Sequence, residues 1–235
     1  MVKSGSMPDD RYIPALSLRW LTPLYDLLLR WAMQEERFRR ALVRQVEAQA
    51  AQQVLDVGCG TGTLTLLLQQ AQPAAQVTGL DGDGAVLDIA QRKAKRAGAD
   101  VGWVQGLADA LPSPAGVFDQ VVTSLMVHHL TTEHKRRTLA EVYRVLRPGG
   151  TLHVLDFGPP HSGYARLLAP LLRHLEEVAD HLDGRVLEMF TAAGFGEVEE
   201  TARFVTVVGD LVMYRMAKPL PNAVKCRTDT LKGMP

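Results

Sequence analysis

Apolar positions change their period along the chain. From Leu21 to about Ala50 a stretch rich in Leu, Arg, Ala and Glu carries Trp20, Leu24, Leu27, Leu28 and Trp31 near helical spacing, which predicts two helices. The pattern then shortens into β-branched runs separated by helical stretches: QQVLDV, AQVTGL, VGWVQ, VFDQVVTSL and TLHVLDF. Five such strands alternating with helices predict a parallel sheet of the α/β class.

Two of the intervening helices are clear. Val86, Ile89, Ala90, Ala94 and Ala97 keep one face apolar up to Gly98. Leu139, Val142 and Leu146 do the same in a helix opened by Thr131 or Thr132 and stopped at Arg147-Pro148-Gly149-Gly150. After the fifth strand, the stretch from Tyr164 to His181 reads as one helix, and a shorter one runs from Val186 to Ala193-Gly194. EVEETARFV and TVVGDLVMYRMA then predict an antiparallel pair closing the sheet edge. The expected organisation is a helical cap over 1–50, a core over 51–217 with a helical insert at about 160–194, and a polar tail over 218–235.

Charge narrows the partners. The 26 basic and 26 acidic residues cancel, so no broad field is available to hold nucleic acid or an anionic membrane. No apolar run approaches the roughly 18 residues of a membrane span, and the opening MVKSGSMPDDRY lacks the apolar centre of a secretory signal. Cys59 and Cys226 are too differently placed to suggest a disulfide, which fits a reducing, cytoplasmic setting. A small-molecule partner is the expectation.

The chemistry concentrates at VLDVGCGTGTLTLLL (54–68), a strand entering glycines at every second position and then a helix. Glycine removes the Cβ that would block close approach, and backbone N–H groups at a helix start face a ligand. Gly58-x-Gly60-x-Gly62 lacks the two-residue gap of the dinucleotide fingerprint. Asp56 would repel a pyrophosphate and favour a ligand bearing an ammonium or sulfonium charge. Asp81, about twenty residues further on, is placed to accept both hydroxyls of a ribose, and Gly82 and Asp83 beside it offer no arginine for a 2′-phosphate.

These residues resemble a class I S-adenosylmethionine-dependent methyltransferase, most closely the ubiquinone/menaquinone-biosynthesis type and its small-molecule relatives. The resemblance runs over about residues 20–217 and rests on VLDVGCGTG, VTGLDGD, GLADALP, FDQVVTSLMVHHL and YRVLRPGGTLHVLDFG. It implies a doubly wound, seven-stranded, mostly parallel sheet with a C-terminal antiparallel hairpin and N-terminal helices capping the site. S-adenosyl-L-methionine would lie with its methionine end at Gly58, Cys59, Gly60 and Gly62, and its ribose at Asp81 and Gly82. Leu107, Ala108 and Asp109 would flank adenine, Ser124 and Leu125 would approach the methionine moiety, and Tyr25 would cover the cofactor. The family often has an aspartate where this chain has Leu107, which leaves Asp109 or the Ala108 amide for adenine.

Displacement at a sulfonium needs alignment and exclusion of water more than a conspicuous catalyst, yet an acceptor hydroxyl, amine or activated carbon has a proton to lose. His128 and His129, just past the fourth strand, and Asp156 at the end of the fifth are the candidate acid–base residues, with His161 beyond. His174, Glu177 and His181 fall at i, i+3, i+7, but no cysteine or acidic cluster completes a ligand set, and no metal is expected. The resulting expectation is methyl transfer to a small-molecule acceptor. The alternatives are a non-catalytic nucleoside-binding module and an NAD-dependent oxidoreductase, the latter disfavoured by the glycine spacing.

Overall fold

A computed structural model of the chain describes residues 35–46, 52–175, 177–206 and 208–221. Tyr25 and the first of the two expected N-terminal helices lie outside these residues. The second is α1 (Glu35–Val46), which buries Phe38, Leu42 and Val46 at helical spacing, turns Arg37, Arg40 and Arg44 outward and keeps Arg39 largely covered.

The chain then alternates as its apolar pattern predicts: β1 (Gln53–Val57), α2 (Thr63–Ala71), β2 (Gln76–Asp81), α3 (Gly84–Ala97), β3 (Gly102–Gln105), β4 (Phe118–Ser124), α4 (Thr132–Val145) and β5 (Leu146–Phe157). The insert α5 (Gly163–Leu175), α6 (Ala179–Leu182) and α7 (Arg185–Ala192) follows, then β6 (Glu199–Thr206) and β7 (Gly209–Ala217). The seven strands order as β3-β2-β1-β4-β5-β7-β6, parallel through β5, with β7 antiparallel to both β5 and β6. Strand order reverses between β1 and β4, and their carboxyl ends open the crevice where doubly wound sheets hold ligands.

Period-two alternation divides the core between the two faces. Leu55, Val121, Val154 and Val212 pack with α4 and α7, whereas Val54, Val122, Leu155 and Leu211 pack with α1, α2 and α5. The helix ends follow the expected chemistry: the Asp83 carboxylate accepts the Ala85 N–H at the start of α3, and Gly98 closes that helix at φ 62°.

Two expectations change. Arg147-Pro148-Gly149-Gly150 does end α4, but it runs on as the start of β5, because Gly149 donates to the Lys218 carbonyl and Lys218 to that of Gly150. The helix expected over 164–181 is two helices. Lys135 Nζ donates to the Glu177 carbonyl at 2.5 Å, an acceptor that a continuous helix would commit to the His181 amide. His181 N–H turns instead to Val178, and His174, Glu177 and His181 share no helix.

Candidate active site

The glycine loop leaves β1 with its amides turned inward. Gly58 and Cys59 N–H both donate to the Leu80 carbonyl (2.8 and 3.0 Å), and Gly62 N–H donates to Cys59. Gly60 N–H donates to Asp81 Oδ2 at 2.8 Å. A phosphate-binding loop aims such groups at its ligand. Here these four are engaged within the protein, so an anion finds no donor among them.

The three glycines have positive φ for different reasons. A Cβ at Gly58 would sit 2.3 Å from Met126 Cγ, and one at Gly62 would sit 2.5 Å from Trp103. At Gly60 it would meet nothing within 4 Å. Gly60 alone of the three lines open space, while Gly58 and Gly62 let Met126, just past β4, and Trp103 of β3 close on the loop from behind. Lys93 of α3 braces the outer side, donating to the Thr61 carbonyl and to the Thr61 and Thr63 hydroxyls.

Asp81 stands at the end of β2. Its Oδ2 holds Gly60 N–H and its Oδ1 holds Asp83 N–H, so each oxygen retains a lone pair for a further donor, which is what a vicinal diol requires. Beside it, Leu107 comes within 3.4 Å of where a Gly82 Cβ would be and is 38 % exposed, an apolar rim next to the carboxylate. Ala108 packs on the core, and Asp109 is held by His134 Nδ1 at 2.7 Å, in the first turn of α4. Leu125 adopts φ 54°, a left-handed conformation that non-glycine residues seldom occupy away from functional sites, directly after Ser124 at the end of β4.

Asp56 and Cys59 lie beneath this surface. Asp56 is 1 % exposed and accepts the Thr65 hydroxyl at 2.6 Å. Burial pushes its carboxyl up to about 6, against the Thr65 hydrogen bond and the charge of Arg39. At this depth its carboxylate touches no open surface, and its charge reaches the loop only through its field. Burial, with the charges of Asp56 and Asp81, pushes the Cys59 thiol far up and keeps it protonated and unreactive. A donor-poor loop, a half-open carboxylate, an apolar rim and two negative charges fit a sulfonium nucleoside without phosphates.

Acid–base groups gather at the neighbouring carboxyl ends. Asp156 is buried at the end of β5; Oδ1 accepts from His128 Nδ1 at 2.6 Å and from Phe157 N–H, and Oδ2 accepts His128 N–H at 3.3 Å. Burial alone would raise this carboxyl, but the two histidines, His128 and His181, and these hydrogen bonds hold it well below the usual range. The His128 ring is buried edge-on to Phe157 and touches the exposed ring of His129, centroids 3.9 Å apart and planes tilted by 42°. The pair expected from the sequence thus separates into a buried histidine fixed by a carboxylate and an exposed one lying over it. His161 is exposed, and its amide donates to Asp210, which caps the turn into α5.

His181, which the sequence offered only within a discounted metal set, comes in from α6 with its Nε2 3.9 Å from Asp156 Oδ2. Lys135, buried in α4, donates to Asp180 at 3.1 Å and pins α6 in place. Thr65, Lys93, His134 and Lys135 carry no local sequence signal, since their partners are 9 to 45 residues away. A cavity of about 320 Å³ behind α6, lined by Thr132, Arg136, Asp180, Arg185 and Met189 among others, shares no wall with the glycine loop or Asp81 and is not the nucleoside cleft.

Comparison with known proteins accords with this geometry. A methyltransferase-domain family model matches residues 54–150. A demethylmenaquinone methyltransferase of Thermus thermophilus is 40 % identical over 61 % of this chain and 65 % of its own length. The chain thus spans just under two thirds of that relative. The ubiquinone/menaquinone biosynthesis C-methyltransferase UbiE of Desulfotalea psychrophila is 32 % identical over 74 % of each chain. In structure, phosphoethanolamine N-methyltransferase 2 of Haemonchus contortus, solved with S-adenosylhomocysteine, matches with TM-score 0.68 at 15 % identity, covering 86 % of this chain and 58 % of that one, a likeness of fold. Sequence, fold and cradle converge: the chain belongs to the class I S-adenosylmethionine-dependent methyltransferases of the ubiquinone/menaquinone family.

Proposed function

We propose that this protein transfers a methyl group from S-adenosyl-L-methionine to a small aromatic acceptor of the quinol type, bound between the nucleoside cradle and the helical insert. The observation that carries the reading is Asp81, whose two oxygens each keep an open lone pair beside a loop whose amides are turned away. Ribose hydroxyls would donate to Asp81, adenine would lie along Leu107 and Ala108, and the methionine end would pass Gly60 toward Ser124 and Leu125. The quinol class comes from the activities named for the Thermus and Desulfotalea relatives.

When bound, S-adenosylmethionine supplies a methyl group on a positively charged sulfur, which departs as a neutral thioether. The acceptor gains the methyl and sheds one proton per turnover. His128, oriented by Asp156, would take that proton, in the general-base arrangement where a carboxylate fixes the imidazole and stabilises its charged form. His129 would wall the acceptor space, and the insert would exclude water so that fixed groups align donor and acceptor. Calorimetric titration with S-adenosylmethionine and with NAD, followed by transfer of radiolabelled methyl to a reduced demethylnaphthoquinone, tests the reading. Binding and labelling support it. Binding without labelling across an acceptor screen leaves a nucleoside-binding module, and binding of NAD alone refutes the assignment.

A further inference from the structure

His181 is 2 % exposed, and neither ring nitrogen has a hydrogen-bond partner among the described residues. A buried donor left unmatched loses its water without replacement, so the placement calls for a reason, and the neighbourhood supplies one. Nε2 faces Asp156 Oδ2 at 3.9 Å, about an ångström beyond a hydrogen bond. Asp156 Oδ1 already holds two donors, whereas Oδ2 holds only the long His128 N–H contact and has room on the His181 side. The carboxylate can only accept, so the nitrogen facing it carries the proton. Four charged or titratable groups face the ring: Asp156 of β5, Lys135 of α4, His128 and its own neighbour Asp180. Burial, helped by Lys135 and His128 and opposed by Asp156 and Asp180, pushes the imidazole down to about 4, so near pH 7 it is neutral.

We propose that His181 is a positioning residue for proton removal: a neutral imidazole, delivered by the insert, whose Nε2–H dipole faces the open side of Asp156 from 3.9 Å and limits how strongly that carboxylate draws the proton on His128 Nδ1. The inference rests on the proposed role of His128. One carboxylate shared by two imidazoles is a weaker acceptor toward each. The insert that covers the acceptor space thereby also sets the acid–base balance of the residue beneath it, and Lys135, through Asp180, holds the insert in register.

The test uses the full chain. In ¹⁵N-labelled native protein at pH 7, His181 is expected neutral with its proton on Nε2; a proton on Nδ1 alone, or a charged ring, overturns the proposal. His181→Phe removes the donor and keeps the bulk, while His181→Gln keeps an N–H near the same place. With the fold checked by circular dichroism, the His128 ring titration in the Phe variant should move up by at least half a pH unit, and the acid limb of kcat with it. The Gln variant should stay close to native. Coincident His128 titrations in native and Phe proteins, or equal shifts in Phe and Gln, overturn it. A native protein that transfers no methyl while its His128 titration still responds refutes the proposed function and spares the His181–Asp156 coupling.

Discussion

A single methyl group separates the jobs of two loop glycines. Gly58 and Gly60 both have positive φ, but alanine at Gly58 collides with Met126 and alanine at Gly60 collides with nothing. Gly60→Ala is therefore expected to cost roughly 1–2 kcal/mol of backbone strain yet weaken S-adenosylmethionine binding at least tenfold, because the added carbon projects into the ligand's space. Gly58→Ala adds overpacking to the same strain, a loss of roughly 2–5 kcal/mol. Denaturant titration and calorimetry on both variants separate the effects; a Gly60→Ala protein with native affinity would remove the loop from the site. Asp81→Asn offers a second check. The amide oxygen still accepts Gly60 N–H, but the charge is gone and one ribose hydroxyl loses its acceptor, so affinity should fall about 10- to 100-fold. A change below threefold would leave Asp81 a loop brace only.

At the level of elements, what the sequence revealed follows from where each element's partners lie. Strands β1 to β5 were legible because one local pattern, β-branched runs bounded by glycine or proline, decides them. The β6–β7 pair was legible from its short connection. The loop proposed as the cradle stood out because glycines at 58, 60 and 62 and an acid at 81 are local, unusual choices, although which glycine lines open space depends on Met126 and Trp103, reachable only through the fold. The division of the insert was not legible, because the carbonyl that ends its helical run is taken by Lys135, 42 residues earlier. The same break carries His181 to Asp156. Lys135→Met should then leave Asp180 with only the Thr132 hydroxyl and the half-exposed Arg185 as partners, free the Glu177 carbonyl, and cost roughly 1–3 kcal/mol locally. Hydrogen exchange at amides 179–185 should quicken sharply while those of β1 and β4 stay protected. Uniform quickening across the sheet would mean that α6 is no separate unit.

For the molecule as a whole, buried titrating groups on both sides of the sheet fix how stability responds to acid. His153, between α1 and the sheet, takes Gln45 on Nδ1 and Gln120 on Nε2, and burial, with the charge of Arg215, pushes it down to about 4. His181 stands near the same value. Each stays neutral in the native protein while its unfolded counterpart gains a proton near 6.5, so each removes stability as pH falls from about 6.5 to about 4. Asp56 works the other way. Its native carboxyl, raised to about 6, binds a proton before the unfolded one does, so its penalty is relieved over the interval from about 6 down to 3.8. Two groups oppose one, each worth roughly 3 kcal/mol, and a net loss of a few kcal/mol is expected between pH 7 and 4.5. Equilibrium denaturation at several pH values gives this slope directly. His153→Gln should flatten it by about one proton, whereas Asp56→Asn should steepen it, since the group that gains stability in acid is gone. A native profile that is level or rising toward pH 4.5 would show that these two imidazoles are solvated and that the sheet's polar anchors are looser than their hydrogen bonds describe.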